Sequence, residues 1–341
     1  MSKTPAPTQV LGDPTVPWVV VLDASTSGTP PTLAALRERL AGLAAEAGWP
    51  LPATDAVRTG DRRTLLRDLC SASPQALRVG VHDGGIVLSA RHELLDGLAM
   101  LEALGRLLGR EVRSAVRGVD ASGRTSQGAG ALVKRAWELA MRPPRSAARS
   151  LAGTETGDAF AVRTVDGAPR TAELVHGGAR AIAAWNRAHR TSARRLSVAV
   201  GVSTVPGTDV GLGDHSAFLR LREVETLTLE EVRHQLGRAP LQLGGFHHTP
   251  PRGLGGMTRT LLRAAAPRLG STLLVSHLGA VSGPEELDRL AFFPVTGGRS
   301  GLSLGAVTMP GRTTLTLRAR ATRFDDEGLQ ALLALVVDEL G

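Results

Sequence analysis

The segment from residue 77 to residue 108 most constrains the fold of this chain. Two short apolar runs, 77–82 and 86–90, flank Asp83-Gly84-Gly85. An Asp-Gly pair between apolar runs signals a hairpin, because glycine takes up the positive φ that a tight turn requires. The second run leads into Arg91-His92-Glu93-Leu94-Leu95-Asp96-Gly97. Leu98, Leu101, Leu104 and Leu108 then recur at helical spacing, and Gly109 supplies a stop. This order places one histidine at the end of a strand and just before a helix.

The same reading extends in both directions. Residues 18–22 read as a buried strand. Pro30 and Pro31 break the chain, Thr32 caps a helix carrying Leu33, Leu36, Leu40, Leu43 and Ala47, and Gly48 ends it. Residues 113–130 read as a loop and 134–141 as a helix. Arg142-Pro143-Pro144-Arg145 is the clearest linker, so the expected lobes are 1–145 and 146–341. In the second half, 179–187 reads as a helix, and 196–202, 216–221, 271–276, 301–307 and 313–321 as strands. Thr228-Leu229-Glu230-Glu231 has the capping-box pattern, Asp325 or Asp326 caps a last helix, and 237–256 reads as an exposed Gly/Pro-rich loop. Helices and strands alternate in both halves, with several hairpins. The expected fold class is therefore α/β with mixed sheets, in a chain long enough for two cores.

Composition removes several chemistries. The chain has no tyrosine, so no phenol takes part in catalysis. Its one cysteine, Cys70, excludes a disulfide scaffold or a cysteine zinc site within one chain, and its place in an apolar-periodic run makes it a packing residue. No metal site is expected: His247-His248 are adjacent and lack a third ligand at a recognisable spacing. Gly253-Leu254-Gly255-Gly256 lacks the Lys-Ser/Thr of a phosphate loop. The formal net charge of +8 suits acidic partners, yet no arginine run is interleaved with aromatics, so no nucleic-acid partner is expected. The apolar run 18–22 is too short to span a membrane. A soluble, cytoplasmic monomer is the expectation.

His92 is the candidate base. Imidazole titrates near neutrality, and the positive end of the following helix favours its neutral form. Asp96 has two readings, both structural: an ion pair with a buried arginine, or the cap of the helix that begins at Gly97. Gly97 allows a tight turn or close approach of backbone. Glu93 reads as an exposed loop carboxylate.

On four segments the chain resembles the condensation-domain-like, coenzyme A-dependent acyltransferases. They are the H-x-x-x-D-G of residues 92–97; Ala76-Leu77-Arg78-Val79-Gly80-Val81; the strand 196–205 followed by Gly213-Asp214-His215-Ser216; and Val275-Ser276-His277-Leu278-Gly279. The resemblance runs from about residue 19 to the C-terminus. The motif falls in the first third of the chain with an α/β half after it. That order is similar to the two-lobed condensation, wax-ester-synthase-like and polyketide-associated relatives, rather than to the shorter trimeric chloramphenicol-acetyltransferase type.

The resemblance implies two chloramphenicol-acetyltransferase-like lobes with an active-site tunnel between them. It implies that His92 is catalytic, that Asp96 and Gly97 build the loop, and that Arg91, Ser276 and His277 are positioned to contact substrate. It implies an amide- or ester-forming acyl transfer to a small-molecule amine or alcohol, set in specialised metabolism. The acyl donor would be acyl-coenzyme A or a phosphopantetheinyl acyl or peptidyl carrier protein, with no permanently bound cofactor. The alternative is a non-catalytic relative that docks a carrier protein or partner enzyme. Two positions depart from the family pattern. Arg91 stands where condensation domains have a first histidine, and either pairs with an acid or contacts a substrate carboxylate. His277 stands where an asparagine is customary.

Overall fold

The computed structural model describes residues 18–71, 73–119, 143–150, 156–243, 271–296 and 301–341. The first lobe runs through β1 (Val19–Thr26), α1 (Leu33–Glu46), β2 (Val57–Thr59), α2 (Arg62–Leu69), β3 (Leu77–His82), β4 (Gly85–Arg91) and α3 (Gly97–Leu108). The Asp-Gly turn closes the β3–β4 hairpin, with Gly84 at φ +80° and Val79 opposite Leu88. Thr32 Oγ1 accepts the Ala35 N–H at 3.3 Å, and Asp61 Oδ1 accepts that of Thr64 at 3.0 Å, so α1 and α2 each begin at a side-chain cap. Gly109, in the left-handed region at φ +69°, ends α3.

β1 is buried on both faces, which is why it reads as an unbroken apolar run. Val20, Leu22 and Ala24 join the leucines of α1 and α3 in one core. Val21 points the other way, with Leu65, Leu66, Leu69 and Cys70. Cys70 is thus a packing residue, and burial pushes its thiol up to about 11.

The second half supplies β5 (Arg113–Ser114), β6 (Asp158–Asp166), α4 (Thr171–Ala188), β7 (Ser197–Ser203), β8 (Ser216–Arg222), α5 (Leu229–Arg238), β9 (Gln242–Leu243), β10 (Leu273–Ser282), β11 (Leu287–Phe293), β12 (Leu302–Met309), β13 (Arg312–Arg320) and α6 (Asp326–Asp338). The capping box at Thr228 and Glu231 forms, and Asp325 Oδ1 caps α6 at 2.8 Å. The larger sheet has the order β6-β13-β12-β10-β7-β8-β9. Its centre, β12-β10-β7, is parallel and its flanks are antiparallel. One face packs on α4, α5 and α6. The expected helix at 134–141, and His247-His248 and Gly253–256 within the Gly/Pro-rich loop, lie outside the described residues.

The smaller sheet has the order β11-β1-β4-β3-β2. One of its strands thus crosses the expected division at residue 145. β11 pairs antiparallel with β1, Leu22 opposite Phe292 and Asp23 opposite Ala291, so the second half contributes an edge strand to the first sheet. The free face of the larger sheet also joins the first lobe, through Ala199, Leu274, Leu278 and Val307. Arg318 of β13, fully buried, closes the junction. It pairs with Asp158 at 2.6 Å and donates to the carbonyls of Val19 at 2.8 Å and Pro294 at 3.3 Å. A buried guanidinium requires such partners, because a desolvated charge left unpaired costs several kcal/mol.

Candidate active site

The loop between β4 and α3 is a tight structure pinned to both lobes. Its first turn is made by the Arg91 carbonyl, which accepts the N–H of Leu94 at 2.9 Å and of Leu95 at 3.1 Å. The His92 N–H donates to the Trp18 carbonyl at 2.9 Å, and its ring stacks on the Trp18 indole at 5.8 Å between centroids. Arg318 holds the neighbouring Val19 carbonyl, so the inter-lobe clasp and the His92 loop are anchored to adjacent residues of the chain.

His92 Nδ1 lies 3.3 Å from the Leu95 carbonyl. A carbonyl only accepts, so the ring proton sits on Nδ1 and Nε2 keeps its lone pair. The residue is 8% exposed and lines a cavity of about 390 Å³. The walls come from both sheets: Val20, the His92 loop, Gly201 to Ser203 of β7, Phe218 of β8, Ser276 to Gly279 of β10, Phe292 of β11 and Thr171 of α4. They are mainly apolar with a few convergent polar groups, the usual character of a small-molecule site.

Asp96 is the cap of α3, its Oδ1 accepting the Ala99 N–H at 2.8 Å. The arginine partner expected as one of its two readings is not there: among the described residues Asp96 makes no ion pair. Its Oδ2 instead accepts the His215 N–H at 2.9 Å, and its own N–H donates to the Gly213 carbonyl at 3.1 Å. One carboxylate therefore starts a first-lobe helix and ties down the second-lobe loop before β8. The buried arginine of this region, Arg318, is engaged by Asp158. Burial raises the Asp96 carboxyl above the ordinary range, opposed by the two N–H donors. Gly97 serves close approach rather than a turn. A Cβ there would lie 2.7 Å from Leu278 Cδ2 and 2.8 Å from Phe292 Cζ.

Arg91 does not reach the cavity wall. Its guanidinium is paired with Glu93, two residues along the loop. Ser276 and His277 do reach it, through a break in the larger sheet. The pairing of β10 with β7 ends at Ser276 opposite Gly201. The register with β12 shifts between His277 and Ala280, and Gly279 stands at φ +72°. A bulge of this kind re-aims side chains. Gly201 gives Ser276 room: a Cβ there would lie 3.2 Å from Ser276 Oγ. His277 Nδ1 is 3.2 Å from Thr171 Oγ1, and its Nε2 is buried with no partner. Burial holds this imidazole down to about 4, so it is neutral at physiological pH.

No protein-family model and no curated protein matches the sequence. Solved structures do. The first condensation domain of the calcium-dependent antibiotic synthetase, in complex with a substrate analogue, has a TM-score of 0.53 at 16% identity, over 98% of this chain and 94% of that chain. The wax ester synthase/diacylglycerol acyltransferase from Marinobacter aquaeolei VT8 has a TM-score of 0.51 at 14% identity, over 97% of this chain and 95% of that one. The fold is that of the two-lobed condensation domains. The likeness extends over nearly the whole of each chain, so it takes in both lobes. Identities this low concern the fold alone.

Thr171, Gly201 and Phe292 line the cavity beside His92 without having been singled out in the sequence. Gly201 alone carried a signal, since a glycine inside an apolar strand marks a close approach. Among the described residues, no cluster of His, Cys, Asp or Glu is arranged to hold a metal, and no helix is long and apolar enough to cross a membrane.

Proposed function

We propose that the protein is a condensation-like acyltransferase and that His92 is its general base. The observation that carries this reading is the 3.3 Å contact of His92 Nδ1 with the Leu95 carbonyl, which assigns the ring proton to Nδ1. The Leu95 carbonyl accepts the Nδ1–H, and the residue carrying the Nε2 lone pair lines the inter-lobe cavity. An amine or alcohol acceptor gives its proton to Nε2 as its nitrogen or oxygen attacks the acyl carbon of a thioester. The carbon–sulfur bond breaks, the proton passes to the departing thiolate, and an amide or ester remains. The donor is acyl-coenzyme A or an acyl or peptidyl carrier protein, each ending in a pantetheine arm. Asp96 and Gly97 position the loop and do not touch the reacting atoms. The condensation and acyltransferase proteins of the same fold support this class of reaction.

The test is transfer from short- and long-chain acyl-coenzyme A and acyl-pantetheine thioesters to a panel of small amines and alcohols, read by thiol release and product mass. His92→Ala is expected to lose about 10²- to 10⁴-fold in kcat, the usual contribution of a positioned base. Full product formation by that variant ends the reading. A pantetheine crosslinker presented on a carrier protein, set against saturable acyl-coenzyme A binding, names the donor class.

A further inference from the structure

Two glycines follow Asp83, and the turn needs only one of them in a left-handed conformation. Gly84 takes up that positive φ, and Gly85 does not. Gly85 lies between Ser25 of β1 and His82 of β3 in the register of the smaller sheet. A Cβ there would lie 3.0 Å from His82 Cε1 and closer still to the Ala24 carbonyl. The missing side chain lets the His82 imidazole cross β4 and reach Asp23 of β1.

Asp23 is fully buried and sits among cationic groups from three elements. Its Oδ2 accepts from Arg62 Nε of α2 at 2.7 Å and faces Arg289 of β11 at 3.4 Å, and its Oδ1 lies 3.4 Å from His82 Nε2. Arg289 also donates to Ser25 Oγ at 2.9 Å. The register of β1 with β11 shifts between Ser25 and Thr26. Side chains therefore hold this pair of strands at the end where its backbone ladder is irregular.

The other ring nitrogen of His82, Nδ1, lies 2.8 Å from the Asp83 carbonyl. Both nitrogens thus face acceptors, since a carbonyl only accepts and an ionised carboxylate does the same. Burial acts to raise the Asp23 carboxyl, but the bonds from His82 and Arg62 outweigh it and hold Asp23 below the ordinary range. Only an imidazolium satisfies both acceptors. A neutral ring turns a lone pair towards one of them. The bond to Asp23 raises His82 above its ordinary 6.5, against the effect of burial, and the Asp83 carbonyl adds to the rise.

We infer that doubly protonated His82 is a pH-sensitive fastener of the edge strand β11, tying the Asp83 turn to Asp23 and through Asp23 to Arg289. The groups that face it are Asp23 from β1, Arg62 from α2, Arg289 from β11 and the Asp83 carbonyl from the turn; β4 presents only Gly85. Because the folded-state value is raised, the contribution is fully present below about pH 6.5 and is lost as pH rises through that folded-state value. The strand that loosens carries Phe292, a wall of the His92 cavity, while the cluster itself lies outside the residues that line that cavity. The fastener is therefore measurable without an acyl-transfer assay, and it stands or falls separately from the role of His92.

The test is nitrogen-15 NMR of the histidine-labelled full chain, with amide-exchange protection factors read at about pH 6 and about pH 9. His82, assigned with His82→Gln, is expected to carry protons on both nitrogens at the lower pH and on one at the higher. Across that step, protection of β11 and of the β1 residues paired with it should fall about 5-fold, the net worth of one hydrogen bond. The β12–β13 pair should keep its protection. His82→Gln cannot titrate and should show no fall. His82→Lys stays charged over this range and should hold its protection at both pH values.

A neutral His82 ring at the lower pH overturns the inference. So does protection of β11 that is unchanged through the His82 titration, or a fall of equal size in His82→Gln. The first two outcomes are read on the wild type alone, so a variant that fails to fold does not shield the inference from refutation.

Discussion

His92 and His277 line one cavity from different lobes, and each is held through its Nδ1. At His92 that nitrogen meets a backbone carbonyl, which can only accept, so the proton sits on Nδ1 and Nε2 keeps its lone pair. At His277 it meets the Thr171 hydroxyl at 3.2 Å, a group that can give or take a proton, and Nε2 is buried without a partner among the described residues. A carbonyl settles which ring nitrogen of His92 carries the proton, whereas a hydroxyl accommodates either tautomer of His277. The supports differ as well. The His92 loop is fixed by backbone hydrogen bonds, a helix cap and the Trp18 ring, whereas His277 is aimed by a strand bulge and a left-handed glycine.

This contrast can be broken at several points. Arg318→Ala acts on the frame of the His92 side by leaving the buried Asp158 with only its longer contact to Arg320, at 3.9 Å. Denaturant unfolding is expected to show a loss of about 3–5 kcal/mol.

His277 should show itself in the pH dependence of stability. Its folded-state value lies near 4, below the ordinary 6.5. The unfolded chain then binds the proton more readily, and stability falls as pH drops from about 6.5 to about 4. The total contribution is up to about 3 kcal/mol by the usual conversion of such a shift. Unfolding curves across that range should lose this slope in His277→Asn.

Asp96→Ala removes a cap and leaves the His215 N–H without its acceptor, for an expected loss of about 2 kcal/mol in the same assay. Arg91→Ala breaks only a partly exposed pair with Glu93. It should change stability by less than about 1 kcal/mol and leave KM unaltered.

The two regions also differ in how much of them could be read from the sequence. The hairpin turn and the two ends of α3 depend on contacts a few residues apart, so Asp83-Gly84, Asp96 and Gly109 announced them. The partner of Asp96 was not legible. Its second oxygen bonds a residue 119 positions away, and no local pattern encodes that. The same limit hid β11, whose place beside β1 is fixed by pairing across most of the chain.

The first half of α4 was concealed for another reason. Gly177 and Gly178 weaken the helical pattern, yet a Cβ on Gly178 would lie 2.9 Å from Leu273 Cδ2. The glycine lets the helix sit close on β10, in the segment that leads to Thr171 and His277. His277 itself could be noticed as a departure at an expected asparagine. Its contact with Thr171, 106 positions away, exists only in the folded chain.

The central claim is that Leu95 fixes His92 as a base. Nitrogen-15 spectra of the histidine-labelled full chain, assigned with His92→Ala, test it most directly. The account predicts a neutral His92 ring with its proton on Nδ1 and a free lone pair on Nε2. A proton found on Nε2 instead would make His92 a donor, unable to take a proton from the acceptor, and would contradict it.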